Sequence, residues 1–335
     1  MPVAERVDLV AAQQAATDAI AAARNGLIEL SRFIHANPEI ALEEVKSSAA
    51  CAEFLEQHGF TLTRGVADLP TAFAATVGAG EPKIAYLSEY DALPGIGHGC
   101  GHNLIAIAGI GAGIGLAAAL PHLGGKGQVA VFGTPAEEAV GGKVIMANAG
   151  VFDGVSAAMG AHPGTIEAVC PTVEGSGNAL ACVLVRVTFH GQAAHAAADP
   201  FNGVNALNAV IETFNGINAL RQHITSDARI HGIITHGGEA SNVIPKYARA
   251  AFLVRAATQS YVAELTEKVR NIARGAALMT GTELKIEEGT LHADMRPSYV
   301  LGERYKANME DVGLDLSHGR EGRGMHSTDF GDISY

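Results

Sequence analysis

Apolar residues in this chain gather in short runs that stop abruptly at polar groups. Residues 83–91 read KIAYLSEYD and end at Glu89 and Asp91. Residues 128–138 read QVAVFGTPAEE and end at Glu137 and Glu138. Residues 155–162 read VSAAMGAH and end at His162. Apolar runs of this kind, alternating with helical patterns, predict buried parallel strands. From 83 to about 165 the alternation predicts a doubly wound α/β sheet. Ahead of it, residues 9–34 predict an amphipathic helix closed before Asn37-Pro38, and 42–58 a second helix stopped at Gly59.

The pattern then changes. Strand patterns at 179–190, 229–238, 247–258 and 283–289 enclose helical patterns at 203–224 and 260–279. That order, β-α-β-β-α-β, is the ferredoxin-like unit. The predicted organisation is a first domain of residues 1–175 and 291–335, interrupted by an inserted domain of residues 176–290; a chain of 335 residues has room for both.

Residues 103–120, NLIAIAGIGAGIGLAAAL, carry no charge. The run lies at the bottom of the length range of a membrane span, and its glycines fit a buried helix packed closely on a sheet. No membrane is expected, and no dinucleotide either, since Gly-Ala-Gly-Ile-Gly lacks the spacing of the GxGxxG fingerprint. Net charge is −12 with no Lys/Arg cluster, which argues against nucleic acid and anionic membrane surfaces. Cys51, Cys100, Cys170 and Cys182 show no disulfide-like spacing, and MPVAERVDLVAAQQ has no uninterrupted apolar signal segment. Both point to a cytoplasmic location.

Ligands and catalytic groups collect at the carboxyl ends of parallel strands. The three runs therefore deliver their polar ends to one crevice, joined by His98, Cys100 and His102 of HGCGH. Carboxylates, imidazoles and a thiol together make a metal-ligand inventory. Cys100 and His102 are two apart, so they fit a loop entering a helix better than one helix face. Adjacent Glu137 and Glu138 cannot serve identically. One suits a metal and the other general-base work, but a solvated acidic pair at a helix start has the same sequence signature. Asp91 fits a helix cap or a carboxylate that orients a metal ligand. His162 fits a ligand or a buried, hydrogen-bonded imidazole.

Taken in order, SEYDALPGIGHGCGHN, GTPAEEAVGGK, GAHP, GQAAHAAADPFNGVNA, EASNVIP and HSTDFGDIS resemble the aminoacylase and amidohydrolase branch of peptidase family M20, with its p-aminobenzoyl-glutamate hydrolase and dipeptidase-like members. The resemblance implies a zinc-peptidase-like catalytic domain with an inserted lid domain that forms a homodimer. It implies Cys100 and His102 as metal ligands, with Cys100 suited to bridge two ions. It further implies Glu138 and His162 as ligands, Glu137 as general base, and Asp91 as the acidic residue beside the metals. In the lid it implies that His195 polarises the scissile carbonyl, often in the partner's site. Asn242 and Arg255 would hold a substrate carboxylate, in a pocket lined by Ser327 and Thr328. Taken by themselves, His195 fits a helix surface, Asn242 a turn, Arg255 a strand surface, and Ser327 and Thr328 a helix cap.

The implied enzyme is a metal-dependent amidohydrolase acting on N-acyl or N-aroyl amino acids, or on dipeptides, with a free carboxylate. It would use two divalent ions; cysteine and histidine favour zinc, whereas carboxylates admit manganese or cobalt. An ester or carbamate hydrolase and a non-catalytic metal-binding homologue are the alternatives. Glu137 beside Glu138 favours the enzyme, because a binding module has no need of a spare carboxylate. Two positions depart from the family pattern. A further histidine ligand, expected some tens of residues after STDFG, would fall past Tyr335, so either the sequence is truncated or one metal is under-coordinated, and the second metal is expected to bind weakly in this 335-residue chain. Asn103 stands where many relatives carry Asp, as in the dipeptidase-like branch.

Overall fold

A computed structural model describes residues 7–164, 179–314 and 327–335. By its internal contacts the chain divides into two compact units, Met1–Ala168 and Val169–Tyr335.

The first unit is a five-stranded sheet with helices. Helix α1 (Leu9–Ala36) starts at Asp8, whose carboxylate accepts the Ala11 amide, and it buries Ala23, Leu27, Leu30 and Ile34. Helix α2 (Val45–Gln57) buries Cys51, Ala52 and Leu55. Its first amides, at Lys46 and Ser47, are accepted by the Glu39 carboxylate at 3.0 and 2.9 Å, which satisfies donors a helix start leaves over. Strands β1 (Thr61–Arg64) and β2 (Phe73–Ala79) come next, then β3 (Lys83–Ser88), helix α3 (His102–Ala119), β4 (Gly127–Gly133), the short helix α4 (Gly142–Asn148) and β5 (Ala157–Met159). Sheet order is β1-β2-β4-β3-β5. Strands β3, β4 and β5 run parallel, while β1 and β2 join antiparallel. The sheet is thus mixed, a common arrangement when an antiparallel hairpin extends a parallel core. Residues 61–79 carried no clear strand signal: β1 is the polar TLTR, and β2 mixes alanine and glycine with few β-branched residues.

Helix α3 is the apolar segment singled out above, and with the turn after it is long and apolar enough to cross a membrane by length and composition. Here it lies against the sheet. A β-carbon at Gly109 would sit 2.4 Å from the Leu87 carbonyl oxygen, and one at Gly113 would sit 2.3 Å from a Val131 methyl.

The second unit holds a four-stranded antiparallel sheet of β6 (Ala181–His190), β7 (Arg229–His236), β8 (Tyr247–Ala256) and β9 (Glu283–Glu288), ordered β7-β8-β6-β9. With α5 (Ala206–Leu220) and α6 (Gln259–Thr280) this is the predicted ferredoxin-like unit. Strand β8 alternates strictly between buried and half-buried residues. Its Ala248, Ala250, Phe252 and Val254 join Val185, Val187 and Phe189 of β6 and Val262, Leu265 and Val269 of α6 in one core. Each large aliphatic or aromatic side chain so buried contributes about 1.5–3 kcal/mol. Residues 291–335, assigned to the first domain from sequence, are hydrogen-bonded to the second unit in their described part. The His292 amide and carbonyl pair with Cys182, and the Met295 amide donates to the Ala179 carbonyl. Helix α7 (Tyr299–Asp311) is capped by the Ser298 hydroxyl.

Candidate metal centre

In the first unit the parallel strands β3, β4 and β5 all end at one edge of the sheet, where an α/β fold places its ligands. Beyond β3 come Glu89 and Asp91, beyond β4 come Glu137 and Glu138, and beyond β5 comes His162. Helix α3 begins at the same edge with His102, preceded by Gly101 at a φ of 85°. A side chain at Gly101 would also collide with Pro163, its β-carbon falling 2.6 Å from Cγ. Glycine therefore permits both the turn from Cys100 into the helix and the approach of the 160–163 loop.

Asp91 organises the centre. One oxygen accepts from His102 Nδ1 at 2.9 Å and the other from the Glu138 amide at 3.0 Å. This fixes the His102 ring with Nε2 pointing toward the carboxylates. That atom lies 3.5 Å from Glu89 and 3.8 Å from Glu138. Cys100 Sγ lies 3.2 Å from His162 Nε2. Ligand atoms gather into two groups, each within 4.8 Å: Cys100, His102 and His162, and His102, Glu137 and Glu138. His102 belongs to both. His98 stands apart from these groups, its ring 6.2 Å from that of His35 and its buried ring nitrogens lacking hydrogen-bond partners.

The electrostatics favour a cation. Burial alone would depress the His102 pKa, but Asp91, Cys100 and the charge of Glu89 outweigh it and raise the pKa to about 11. His162 rises to about 9, chiefly through its bond with Cys100. Bonds to both histidines lower the Cys100 thiol below its ordinary range. Burial works against ionised Asp91, yet His102, the Glu138 amide and Lys143 together hold its carboxyl low. A cluster that draws positive charge onto its imidazoles and pulls its thiol and Asp91 carboxyl below their usual ranges is suited to a divalent ion. Two buried atoms, His102 Nε2 and Glu138 Oε1, have no hydrogen-bond partner. Leaving such groups unmet costs about 1–3 kcal/mol each, more when charged. A thiolate, two imidazoles and carboxylates are a donor set for a zinc-like ion, so these residues fit a metal.

A buried pair goes beyond the residues picked out as sites from the sequence. Lys143 Nζ lies 2.8 Å from Glu89 Oε1, and both side chains are almost wholly enclosed. Glu89 was visible only as a strand terminus. Lysine in the apolar stretch GGKVIM carried the one available signal, since buried lysine is rarely found without an anionic partner.

The remaining predicted residues lie in the second unit, as two groups. His195 bridges Val243, and the Ala196 amide donates to the Asn242 carbonyl, so His195 and Asn242 share one loop cluster. His195 is in a loop rather than on a helix; its Nδ1 accepts the Ala197 and Ala198 amides, which places the ring proton on exposed Nε2. Arg255, on β8, donates to Ser327 Oγ at 3.1 Å, and its buried Nε has no partner. Thr328 caps the 3-10 turn Asp329–Ser334. In the β6–β8 register Arg255 faces Cys182, whereas Tyr247, near Asn242, faces His190. Eight residue steps of strand separate the two ends, about 26 Å. Arg255 and Ser327 thus sit at one end of the sheet of a single subunit, and His195 and Asn242 beyond the other.

A peptidase dimerisation domain matches residues 183–279. The chain is 36% identical over 340 residues to a Xaa-Arg dipeptidase of Mus musculus, covering 96% of this chain and 76% of the mouse protein. It is 39% identical over 286 residues to a p-aminobenzoyl-glutamate hydrolase polypeptide of Escherichia coli (strain K12), covering 80% of this chain and 58% of the bacterial one. Its fold is similar to that of a dinuclear metal-binding peptidase of the M20 family from Bacillus subtilis, with a TM-score of 0.64 at 22% identity, covering 92% of this chain and 85% of that one. Identity extending over most of a dipeptidase, joined to the dimerisation-domain match and the shared fold, places the chain in the M20 family of metallopeptidases and amidohydrolases.

Proposed function

We propose that the crevice at the ends of β3, β4 and β5 is the active site of a metal-dependent amidohydrolase. Its substrates are N-acyl or N-aroyl amino acids, or dipeptides, with a free carboxylate. The observation that carries this reading is the convergence of Cys100, His102, His162, Glu137 and Glu138, with buried His102 Nε2 and Glu138 Oε1 unpartnered. Cys100, His102, Glu138 and His162 would hold divalent metal, two ions per subunit, as zinc, manganese or cobalt. Bound there, the metal would polarise the scissile carbonyl and make water more acidic. Glu137, beside the ligand set, takes the proton of the attacking water and returns it to the leaving amine. Asp91 keeps the His102 tautomer that leaves Nε2 available. Lys143 offsets the charge of Glu89, so that the acidic crevice does not repel an anionic substrate outright.

His195 presents an Nε2 proton that suits a developing oxyanion. Arg255 and Ser327 suit a substrate carboxylate. The distance along the sheet means that one substrate cannot meet His195 and Arg255 of the same lid. A homodimer through the lid resolves this, with His195 and Asn242 acting in the partner's site. The dimerisation-domain match supports it, as does the β7 edge, where Ile233 and Ile234 are exposed. A cytoplasmic enzyme with no nucleic-acid or membrane partner completes the proposal.

The test pairs metal analysis with turnover. Cys100→Ala is expected to lose metal and hydrolysis of N-acyl amino acids and dipeptides together, whereas Cys51→Ala and Cys182→Ala, which alter buried cysteines outside the centre, keep both. Cys170 lies outside the described residues. Full metal content and turnover in Cys100→Ala would overturn the assignment.

A further inference from the structure

We propose that Glu44 is a positioning residue for the Glu137–Glu138 pair, its carboxylate holding Ala136 in the left-handed turn from which both glutamates project. Ala136 has a φ of 62° although it is not glycine. An L-residue with a β-carbon disfavours this conformation and keeps it only where its surroundings fix it. Ala136 is wholly buried, and its amide donates to Glu44 Oε1 at 2.9 Å. Glu44 is also wholly buried, and its other oxygen accepts from Thr71 Oγ1 at 2.9 Å. Thr71 in turn accepts the Tyr90 hydroxyl at its carbonyl, so the contact reaches the residue between Glu89 and Asp91.

The turn is confined on its other sides. The Ala136 carbonyl accepts the Gly141 amide at 3.0 Å, and a β-carbon at Gly142 would fall 1.9 Å from the Pro135 carbonyl oxygen. Asp91 accepts the Glu138 amide. Two carboxylates, Glu44 and Asp91, therefore clamp two amides of one turn. Return of Ala136 to a negative φ would redirect the chain after it, swinging Glu137 and Glu138 away from His102. Glu44 also starts α2, and its partner Ala136 is 92 residues away in sequence, so the contact carries more than local helix support.

The proposal rests on the assignment of Glu137 and Glu138 above. Its test is a calorimetric zinc titration, with the visible bands of the cobalt(II) form as a readout independent of turnover. Glu44→Ala is expected to weaken zinc by about 10–100-fold, as loss of a partner behind metal ligands does. Glu44→Gln, whose amide oxygen can still accept the Ala136 amide, stays within about threefold of wild type. Glycine adopts the left-handed turn without strain. In an Ala136→Gly background the loss caused by Glu44→Ala therefore shrinks, and the non-additivity reports the coupling. Thr71→Val, which frees the second Glu44 oxygen, shows the same dependence on Ala136 more weakly and carries the test if Glu44→Ala does not fold. Equal losses in the two backgrounds, or wild-type zinc affinity in both Glu44→Ala and Thr71→Val, would overturn the proposal. Wild-type zinc affinity and turnover in Glu137→Gln and Glu138→Gln would instead remove the parent reading, whatever the Glu44 variants do.

Discussion

Asp91→Asn tests how the centre is assembled, because it changes one atom and almost no volume. Asp91 is 1% exposed, and its two oxygens accept two different protons, from His102 Nδ1 and from the Glu138 amide. An amide has one acceptor oxygen and one donor nitrogen. If the Asn oxygen keeps the Glu138 amide, its NH₂ faces His102 Nδ1, forcing the proton onto Nε2, the atom meant for the metal. If it keeps His102 instead, two donors meet at Glu138. In the first arrangement the metal must displace the Nε2 proton, and in the second one hydrogen bond to a charged group is lost, worth about 1.5–3 kcal/mol. At 1.4 kcal/mol per tenfold, that predicts a zinc affinity lower by about 10–100-fold. The assay is zinc titration of metal-free protein by calorimetry, with far-UV circular dichroism to show that the fold is intact. A dissociation constant within about threefold of wild type would refute the reasoning, since the buried geometry leaves Asn no arrangement that keeps both bonds and also leaves Nε2 free for the metal.

Glu137→Gln is expected to retain metal and lose turnover by about 10²–10⁴-fold, whereas Glu138→Gln lowers metal content itself; elemental analysis showing the opposite would swap the two roles. Mixing inactive His195→Ala subunits with inactive Glu137→Gln subunits should restore activity, and no recovery after verified subunit exchange would exclude a site shared across the dimer. Acidity enters through His162, whose folded pKa is raised from 6.5 to about 9 by Cys100. Its contribution to metal-free stability is complete below about pH 6.5 and fades as pH rises through 9, so thermal melting of the apo protein should drop across that window and drop less steeply in His162→Ala, where His102, raised to about 11, still loses stability with rising pH.

The edge that gathers these polar groups was legible because strands stop there. KIAYLS, QVAVFG and the run before His162 end in residues too polar for a buried strand, and the break marks the edge at which they meet. The ferredoxin-like order was equally clear, since β8 alternates and α6 has a well-marked apolar face. Other features depend on contacts that no local pattern encodes. Strand β1 is polar and largely exposed, so only its pairing with β2 makes it a strand. Glu44 reads as one acid in the polar stretch LEEVK until Ala136 arrives from far along the chain. Lys143 stands out as a charge in the apolar stretch GGKVIM, but only the fold shows that its partner is Glu89. Asn242 and Arg255 both matched carboxylate-binding positions, and only the β6–β8 register reveals how far apart one subunit holds them.

Helix α3 acts as a ruler for the metal centre. Its oxygen-to-β-carbon clearance at Gly109 is 2.4 Å, so any side chain there must lift the helix off β3 by about 1 Å to reach an ordinary contact. His102 lies seven residues up the same rigid rod, about 10 Å away. Gly109→Ala would therefore misplace a ligand without touching one, and the enzyme would read as metal-starved rather than misfolded. A residue with no functional group can thus set the coordination distance. A search for inactivating changes would find such spacers along α3 as readily as the ligands they serve.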